Sequence, residues 1–591
     1  MSKRLASSKS KLSPFPGRTQ DSNQGLNKSI HPLLLFPVLT NIFELITFNA
    51  TDFKNFRLVC KDWAEVSLGR WRKEATLTLT QKLPPSPDDD NSDSFSEDRN
   101  TNGLSPLEFL GMVNMPEDPF QLLKTNNFRK YNIILSQHVF FNNIEKLIPW
   151  TKIGPLMTHL SVSGSSDKNV GRVPFQAVPN LESFTYVNND RPNTQELFYL
   201  MISRYQPEQL RNRMNLNNQV TMPPDSHILK KLTKLDIDLK FKAFPIRWTD
   251  FFIRLPNIKE LTLRSFPKYT CFNSYGMRVE ELFILFQSLL TIREALGPGY
   301  FSQLSTLKLV NLSFDTEELL ETILHPLRNI GLPITSLSLK ICSGTDVSAF
   351  RPIFGLYSDT LEKLEISGGA FYSKYNLSLS EEFPYRLEFP NLRELCFHGT
   401  DCYSLEFLKK LPSLRVLELR HDCHQDIIAT GNIISSGALK DLVLPQMEEL
   451  RVNNEYWSNK KIVKGFACMM PNLKKLKIGL GNDGFGMLCQ IWKDLESLTV
   501  EPNAITESAI LGSVKGCKYS VPNITDLKEL TSLTMGPSQF GHKRGLSGDS
   551  IVHGILACQK LKHLTLASPP KASKKAVEML RSKFPSFDYQ S

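Results

Sequence analysis

An apolar pattern that returns at intervals is the feature that most constrains this chain of 591 residues. From Met157 onward, apolar residues stand at relative positions 0, 3 and 5, as in Leu-x-x-Leu-x-Leu, often just after a Pro-Asn or Pro-Ser turn. The pattern begins at Leu181, Leu232, Ile258, Leu304, Ile334, Leu361, Leu392, Leu414, Met447, Leu473, Leu495, Leu530 and Leu561. Most intervals are 22 to 35 residues, with longer gaps of 51 residues after Leu181 and 46 after Ile258. The longer gaps predict insertions or degenerate repeats.

The alternation inside each unit is the period of a half-buried strand, and segments between units, such as residues 317–324, have a helical pattern. One strand and one helix cannot bury their apolar surfaces alone, so successive units must stack. This predicts an α/β fold with one parallel sheet and helices outside it. Weaker strands at residues 75–79 and 131–135 begin the series. About fifteen strands spaced ~4.8 Å apart would extend ~70 Å.

The repeat resembles the leucine-rich-repeat family over roughly residues 75–585. The resemblance implies a curved solenoid, assigned here to residues 74–585, with the parallel sheet on its concave face. Side chains at positions 2, 4 and 6 would project from that face and bind a partner. They include acids such as Glu365, Glu394, Glu418 and Glu449. The basic and histidine candidates for substrate binding are Arg264, Lys308, Lys340, His398, Arg420, Arg451, Lys475 and Lys477. Basic residues outnumber acids toward the C-terminal half, which favours an acidic or phosphorylated protein ligand.

A different pattern precedes the repeats. Pro37 fits the first position of a helix, where its missing N–H costs nothing, and an apolar stripe follows it. A second helix carries Phe53, Phe56 and Val59 on one face, while Lys54 and Arg57 fall mostly elsewhere. With Leu68 and Trp71, this unit has more apolar surface than about 40 residues can bury alone. Part of that surface should therefore face a partner.

Residues 31–73 are identified as an F-box-like, three-helix module. The resemblance rests on Val38-Leu39-x-x-Ile42-Phe43, on the run from Asp52 to Trp63, and on the later Trp71. The family pattern usually opens with Leu-Pro and an acidic residue, whereas this chain has Leu35-Phe36-Pro37 without the acid. The family docks onto a Skp-type adaptor and through it onto a cullin-RING ubiquitin ligase. The residues that this implies for adaptor binding are Val38, Leu39, Ile42, Phe53, Leu58, Val59 and Trp63.

Composition defines the remaining segments. Residues 1–30 contain six Lys or Arg against Asp21 alone and predict a disordered basic tail, which supplies half of the net charge of +10. Residues 82–105 are acidic and rich in serine, which predicts a disordered insertion within the first repeat. Residues 586–591 are predicted to form a short tail. No run of 18 apolar residues and no apolar signal segment occurs. We therefore expect no membrane partner and a cytoplasmic or nuclear location, or both.

Two motifs suggest other chemistry. Cys396, His398 and Cys402 align with His421, Cys423 and His424 of the next repeat, but the spacing is irregular for zinc, and the ten cysteines of the chain include no C-x-x-C pair. Residues 479–484 read Gly-Leu-Gly-Asn-Asp-Gly, with Glu501 about 20 residues later, as in a dinucleotide fingerprint. Every repeat supplies a strand, a turn and a helix, so the strand-turn-helix context of this segment does not distinguish a dinucleotide site from an ordinary repeat. We predict no cofactor and no metal.

The sequence therefore predicts a non-catalytic receptor. The F-box-like module would bind the adaptor, and the repeats would hold a protein substrate of a Skp/cullin/F-box ubiquitin ligase. Nucleic acid is not the expected partner. The alternative is a leucine-rich-repeat scaffold without a ligase, whose helical start only caps the repeats.

Overall fold

The computed structural model divides the chain into two units, Met1–Ala75 and Thr76–Ser591. The residues that it describes belong to the second unit. They are residues 76–80, 129–134, 154–164, 177–188, 228–238, 248–264, 279–312, 317–341, 350–368, 388–398, 405–420, 434, 441–452, 460–505, 507–512, 522–536, 553–566, 574–584 and 587–589. The F-box-like module, the basic tail, the acidic insertion and residues 590–591 lie outside this part of the chain, so those predictions stay predictions.

One sheet dominates the second unit. Its strands are β1 Thr76–Thr80, β2 Lys130–Ile134, β3 His159–Gly164, β4 Ser183–Asn188, β5 Lys234–Asp238, β6 Glu260–Arg264, β7 Thr306–Leu312, β8 Ser336–Ile341, β9 Lys363–Gly368, β10 Glu394–His398, β11 Val416–Arg420, β12 Glu449–Val452, β13 Lys475–Gly481, β14 Ser497–Ala504, β15 Ser532–Met535, β16 His563–Leu566 and β17 Asp588–Tyr589. Each strand pairs in parallel with the next along the chain, which makes a sheet of 17 strands. The predicted parallel sheet is confirmed.

The apolar positions of the repeat explain this register. In β11, Leu417 and Leu419 are fully buried, as is Leu414 in the preceding turn. The equivalent residues of β12, Leu450 and Val452, are their partners in the pairing and are also fully buried. Each leucine of this kind contributes roughly 1.5–3 kcal/mol by leaving water. A slip of one residue would expose the whole row, so the repeat pattern holds neighbouring strands in register.

A helix connects many of the strands to the next strand along the chain. They are α1 Trp248–Phe252, α2 Val279–Leu296, α3 Glu317–Ile330, α4 Arg351–Tyr357, α5 Lys460–Met469, α6 Asn482–Ile491, α7 Glu507–Leu511 and α8 Lys574–Lys583, with short 3-10 turns at Gly154–Leu156, Glu406–Lys410, Ile524–Asp526 and Ile555–Ala557. Helices of successive repeats pack side by side, as α2 does with α3 and α5 with α6. This order is consistent with the expected repeat solenoid. Among the described helices, none combines the length and apolar character needed to cross a bilayer.

The Pro-Asn turns join one repeat to the next. The side-chain amide of Asn257 donates to the carbonyl of Lys230 in the preceding repeat at 2.7 Å, and Asn391 donates to Asp359 at the same distance. Asn472 and the serine of a Pro-Ser turn, Ser413, make the equivalent bonds. The dipeptide therefore recurs because its second residue satisfies a backbone acceptor of the neighbouring turn.

Candidate functional site

One face of the sheet carries the polar side chains. Counted from the first apolar residue of each repeat, positions 2, 4 and 6 face away from the buried leucines. Because the strands pair in register, equal positions lie side by side in rows. The row at position 4 runs Cys396, Glu418, Arg451 and Lys477 across four neighbouring strands. We call this surface the polar face.

Glu418 is the centre of a cluster of charged side chains on the polar face. Its side chain is only 5% exposed, although it stands in a polar row. Arg451 Nη1 lies 3.1 Å from its Oε2 atom, and Arg420 Nε contacts Oε1. His398 Nε2 lies 3.6 Å from Oε1, which is long for a hydrogen bond. Together these four residues form a cluster that we call the Glu418 cluster.

The cluster controls the ionisation of its central carboxyl group. The neighbouring imidazole of His398 and the guanidinium groups of Arg451 and Arg420 lower the pKa of Glu418 to about 2, against the opposing effect of its burial. Unpaired burial would have raised that pKa. Glu418 is therefore a buried anion that the surrounding donors keep ionised.

Cys396 lies beside Glu418 in the same row. Its thiol contacts carboxylate oxygens of Glu418 and Glu394 at 3.8 and 3.7 Å. Burial, together with these two carboxylates, raises the pKa of Cys396 to about 12, so the group stays a thiol at neutral pH. Thiolate is the form that binds zinc. Within the described ranges no group of three or more His, Cys, Asp or Glu residues is placed to hold a metal ion, and Cys402, His421, Cys423 and His424 lie outside them.

Ion pairs occupy most of the other predicted basic residues. Arg264 donates from both Nε and Nη2 to Asp236, with 2.7 Å from Nε to Oδ1. Lys308 Nζ lies 2.6 Å from Glu260, and Lys477 Nζ lies 2.8 Å from Glu501. Lys340 and Lys475 make no ion pair with any residue that the structure describes. The excess of basic residues read from the sequence is thus largely balanced by acids of neighbouring strands.

The eight predicted substrate-binding residues all lie on the polar face, but the structure brings only three of them together. His398, Arg420 and Arg451 meet at Glu418. The remaining five are spread from β6 to β13. Sequence reasoning placed Glu418 on this face but missed its central role. The sequence pattern that indicates this role is an acid, Glu418, at position 4 of its repeat. One arginine, Arg420, stands at position 6 of the same repeat, and another, Arg451, stands at position 4 of the next repeat.

The glycine-rich segment forms an ordinary repeat. Strand β13 ends at Gly481, which caps α6. Glu501, the acid that the dinucleotide fingerprint would need, is engaged by Lys477. The seven residues predicted to bind the adaptor belong to the first unit and lie outside the described residues.

No protein-family model matches this chain, and no curated protein matches it in sequence. Among solved structures, it is similar to a chain in the crystal structure of the Rad7 and Elc1 complex in yeast, with 16% identity and a TM-score of 0.30 over 57% of this chain and 77% of that chain. A protein from Bacteroides fragilis has 16% identity and a TM-score of 0.27 over 51% of this chain and 76% of its own. At these TM-scores neither likeness carries an argument about this chain.

Proposed function

We propose that this chain is the substrate-recognition subunit of a Skp/cullin/F-box ubiquitin ligase. Residues 31–73 would bind a Skp-type adaptor, and the polar face would bind a protein substrate. The chain would perform no bond chemistry of its own. It would act by proximity, because holding a target lysine beside a loaded conjugating enzyme makes the transfer effectively intramolecular.

One observation carries the substrate half of this proposal. The polar face continues through consecutive strands in register, and it combines charged, hydroxyl and imidazole groups on one sheet. An extended surface of this kind suits a protein ligand better than a small molecule, which needs a concave apolar pocket. The adaptor half is supported by the F-box-like run from Val38 to Trp63.

Co-purification with a Skp-type adaptor tests the proposal. We expect wild-type chain to capture the adaptor, and Leu58→Asp or Trp63→Ala to reduce capture at least tenfold while the circular dichroism of the repeats stays unchanged. Lys54→Ala is the matched control, because Lys54 falls on the polar side of the same predicted helix. Wild-type chain that captures no adaptor would replace this proposal with the ligase-free scaffold.

A further inference from the structure

We propose that a lysine-lined groove where strands β5 to β7 begin binds an acidic segment of this same chain, residues 86–98. The groove has a volume of about 340 Å³, and its lining includes Glu182, Lys230, Lys231, Asn257, Lys259 and Gln303. We call it the lysine groove. None of these six residues stands at position 2, 4 or 6 of its repeat, so the groove is distinct from the polar face. The contact would form whether or not the chain joins a ligase.

The turn before β5 departs from the pattern of its two neighbours. The turns before β4 and β6 carry Pro179-Asn180 and Pro256-Asn257, whereas the turn before β5 carries Lys230-Lys231. The links between the turns are kept. Asn257 donates to the carbonyl of Lys230 at 2.7 Å, and Lys231 Nζ donates to Asn180 Oδ1 at 2.8 Å. This turn therefore holds its place in the stack while it presents two adjacent cations.

The lysine groove carries an excess of positive charge. Three lysines line it, at positions 230, 231 and 259, against one acid, Glu182. These lysines are exposed and form no ion pair with any residue that the structure describes. Elsewhere along this edge of the sheet, a cation of one repeat pairs with an acid of a neighbouring repeat, as in Arg393–Glu362, Arg415–Glu448, Lys474–Glu496 and Lys560–Glu529. An anionic partner would supply the charge that the groove lacks.

Residues 86–98 have the matching charge. They contain no Lys or Arg and six acids, which are Asp88, Asp89, Asp90, Asp93, Glu97 and Asp98. They belong to the connection between β1 and β2, residues 81–128, which lies outside the described part of the chain. Carboxylates in such a run can accept charge-assisted hydrogen bonds from several lysines at once.

The connection is long enough to reach the groove. Strands β5 to β7 lie four to six strands from β1 in the sheet. At ~4.8 Å per strand, and with ~17 Å across a strand of five residues, the straight distance from Thr80 is ~25–35 Å. Extended chain from Thr80 to Asp93 spans ~43–47 Å. A tethered segment has an effective concentration on the order of mM, so weak individual contacts suffice. An acidic ligand from outside would have to compete with it.

Zero-length cross-linking of the full chain tests this contact. A carbodiimide joins a carboxylate to an amine that touches it, and peptide mapping identifies the joined residues. We expect residues 86–98 to link to Lys230, Lys231 or Lys259 at least about tenfold more often than to Lys493. Lys493 is the matched control, because it is also exposed and takes the place of Lys230 in a later repeat.

Two cross-linking results would overturn the proposal. One is equal linking to Lys493 and to the lysines of the groove. The other comes from a mixture of chains that carry ordinary and heavy nitrogen. Links that join unlike chains as often as like chains would show that the bound segment belongs to another copy.

Competition with a free peptide gives an independent test. A labelled peptide of residues 86–98 is added to wild-type chain and to a full chain whose own six acids in this segment are replaced by Asn or Gln. We expect the neutralised chain to bind the peptide at least about fivefold more tightly, because its groove is unoccupied. Raising the salt concentration should weaken this binding.

Substitutions in the neutralised chain locate the peptide. Lys230→Gln together with Lys231→Gln should weaken binding at least about fivefold, and Lys493→Gln should leave it unchanged. Equal binding by wild-type and neutralised chains would reject the intramolecular contact. An unchanged affinity in the double variant would reject the groove as the site. Thermal melting of each variant checks that the repeats remain folded.

Discussion

At the scale of single residues, the burial and ion pairs of Glu418 predict a measurable effect on stability. Glu418→Gln keeps the shape of the side chain but removes a buried charge that two arginines contact. We expect it to lower the free energy of unfolding at pH 7 by about 1.5–3 kcal/mol, the range for hydrogen bonds to charged groups. Chemical denaturation measures this. Glu448→Gln, which removes an exposed ion pair with Arg415, should change it by less than about 1 kcal/mol.

The same variant has a defined pH dependence. The pKa of Glu418 is about 2 in the folded chain, below its ordinary value of 4.5. A depressed folded pKa contributes stability that is fully present above the unfolded pKa and is lost as the pH falls through the folded one. The difference between wild type and Glu418→Gln should therefore shrink between about pH 4.5 and 2. A difference that stays constant over this window would contradict the assigned ionisation.

The cysteines provide a further prediction at this scale. Burial raises the pKa of Cys396 to about 12 and of Cys558 to about 11, so both remain unreactive thiols. Cys468 is exposed. On treatment of the native chain with iodoacetamide at neutral pH, peptide mapping should find Cys468 alkylated and Cys396 and Cys558 protected. Labelling of Cys396 as fast as of Cys468 would mean that the row around Glu418 opens in solution.

The residue scale is also where sequence reasoning was weakest. Placing Arg420 and Arg451 on the polar face needed only the repeat positions. Finding that both contact one buried carboxylate needed the pairing of β11 with β12 and the directions of three side chains. Those directions depend on packing between repeats, which the pattern inside one repeat does not contain.

At the scale of elements, the Pro-Asn turns are testable links between repeats. Asn257→Ala removes the 2.7 Å bond to the Lys230 carbonyl. We expect a loss of about 0.5–1.5 kcal/mol in the free energy of unfolding, the net value of one hydrogen bond. Asn329→Ala, at an exposed position of α3, should change it by about 0.5 kcal/mol at most. Equal effects of the two variants would show that the turn bond does not stabilise the stack.

Helix α5 gives a prediction that opposes helix propensity. Replacing a helical glycine with alanine ordinarily stabilises by about 1 kcal/mol. At Gly465, however, an added Cβ would lie 2.4 Å from Ile434 Cγ2 and 2.8 Å from the Ile434 carbonyl oxygen. We therefore expect Gly465→Ala to lower the thermal midpoint. Gly299→Ala, where nothing lies within 4 Å of the added atom, should leave it unchanged.

Of the three scales, the sequence predicted the secondary-structure elements best. In β4 to β16, each strand begins two residues after the first apolar residue of its repeat, as at Leu414 and Val416. The pattern succeeds because one row of leucines decides both burial and register. It does not predict where a strand continues. β13 runs on to Gly481 and β14 to Ala504, with a register shift between Ile478 and Leu480.

At the scale of the whole second unit, each repeat contacts the repeats next to it, and this should make the stability of the unit local. Each strand pairs only with the strands before and after it among the described residues. In such arrays stability is close to a sum of repeat and neighbour terms. A defect should therefore open adjacent repeats and leave distant ones closed.

Helix α8 allows this to be measured. It packs through Leu580, which is fully buried, and Lys583 Nζ donates to the carbonyls of Leu556 and Cys558 at 2.6 and 3.0 Å. Leu580→Ala should remove roughly 2–5 kcal/mol of local packing free energy. Hydrogen exchange should accelerate in β15 and β16 and stay unchanged in β7 and β8. Met579→Ala, at a position of the same helix that is 38% exposed, is the matched control and should alter neither region. Faster exchange throughout the sheet would contradict local stability, because it would require the repeats to unfold as one cooperative body.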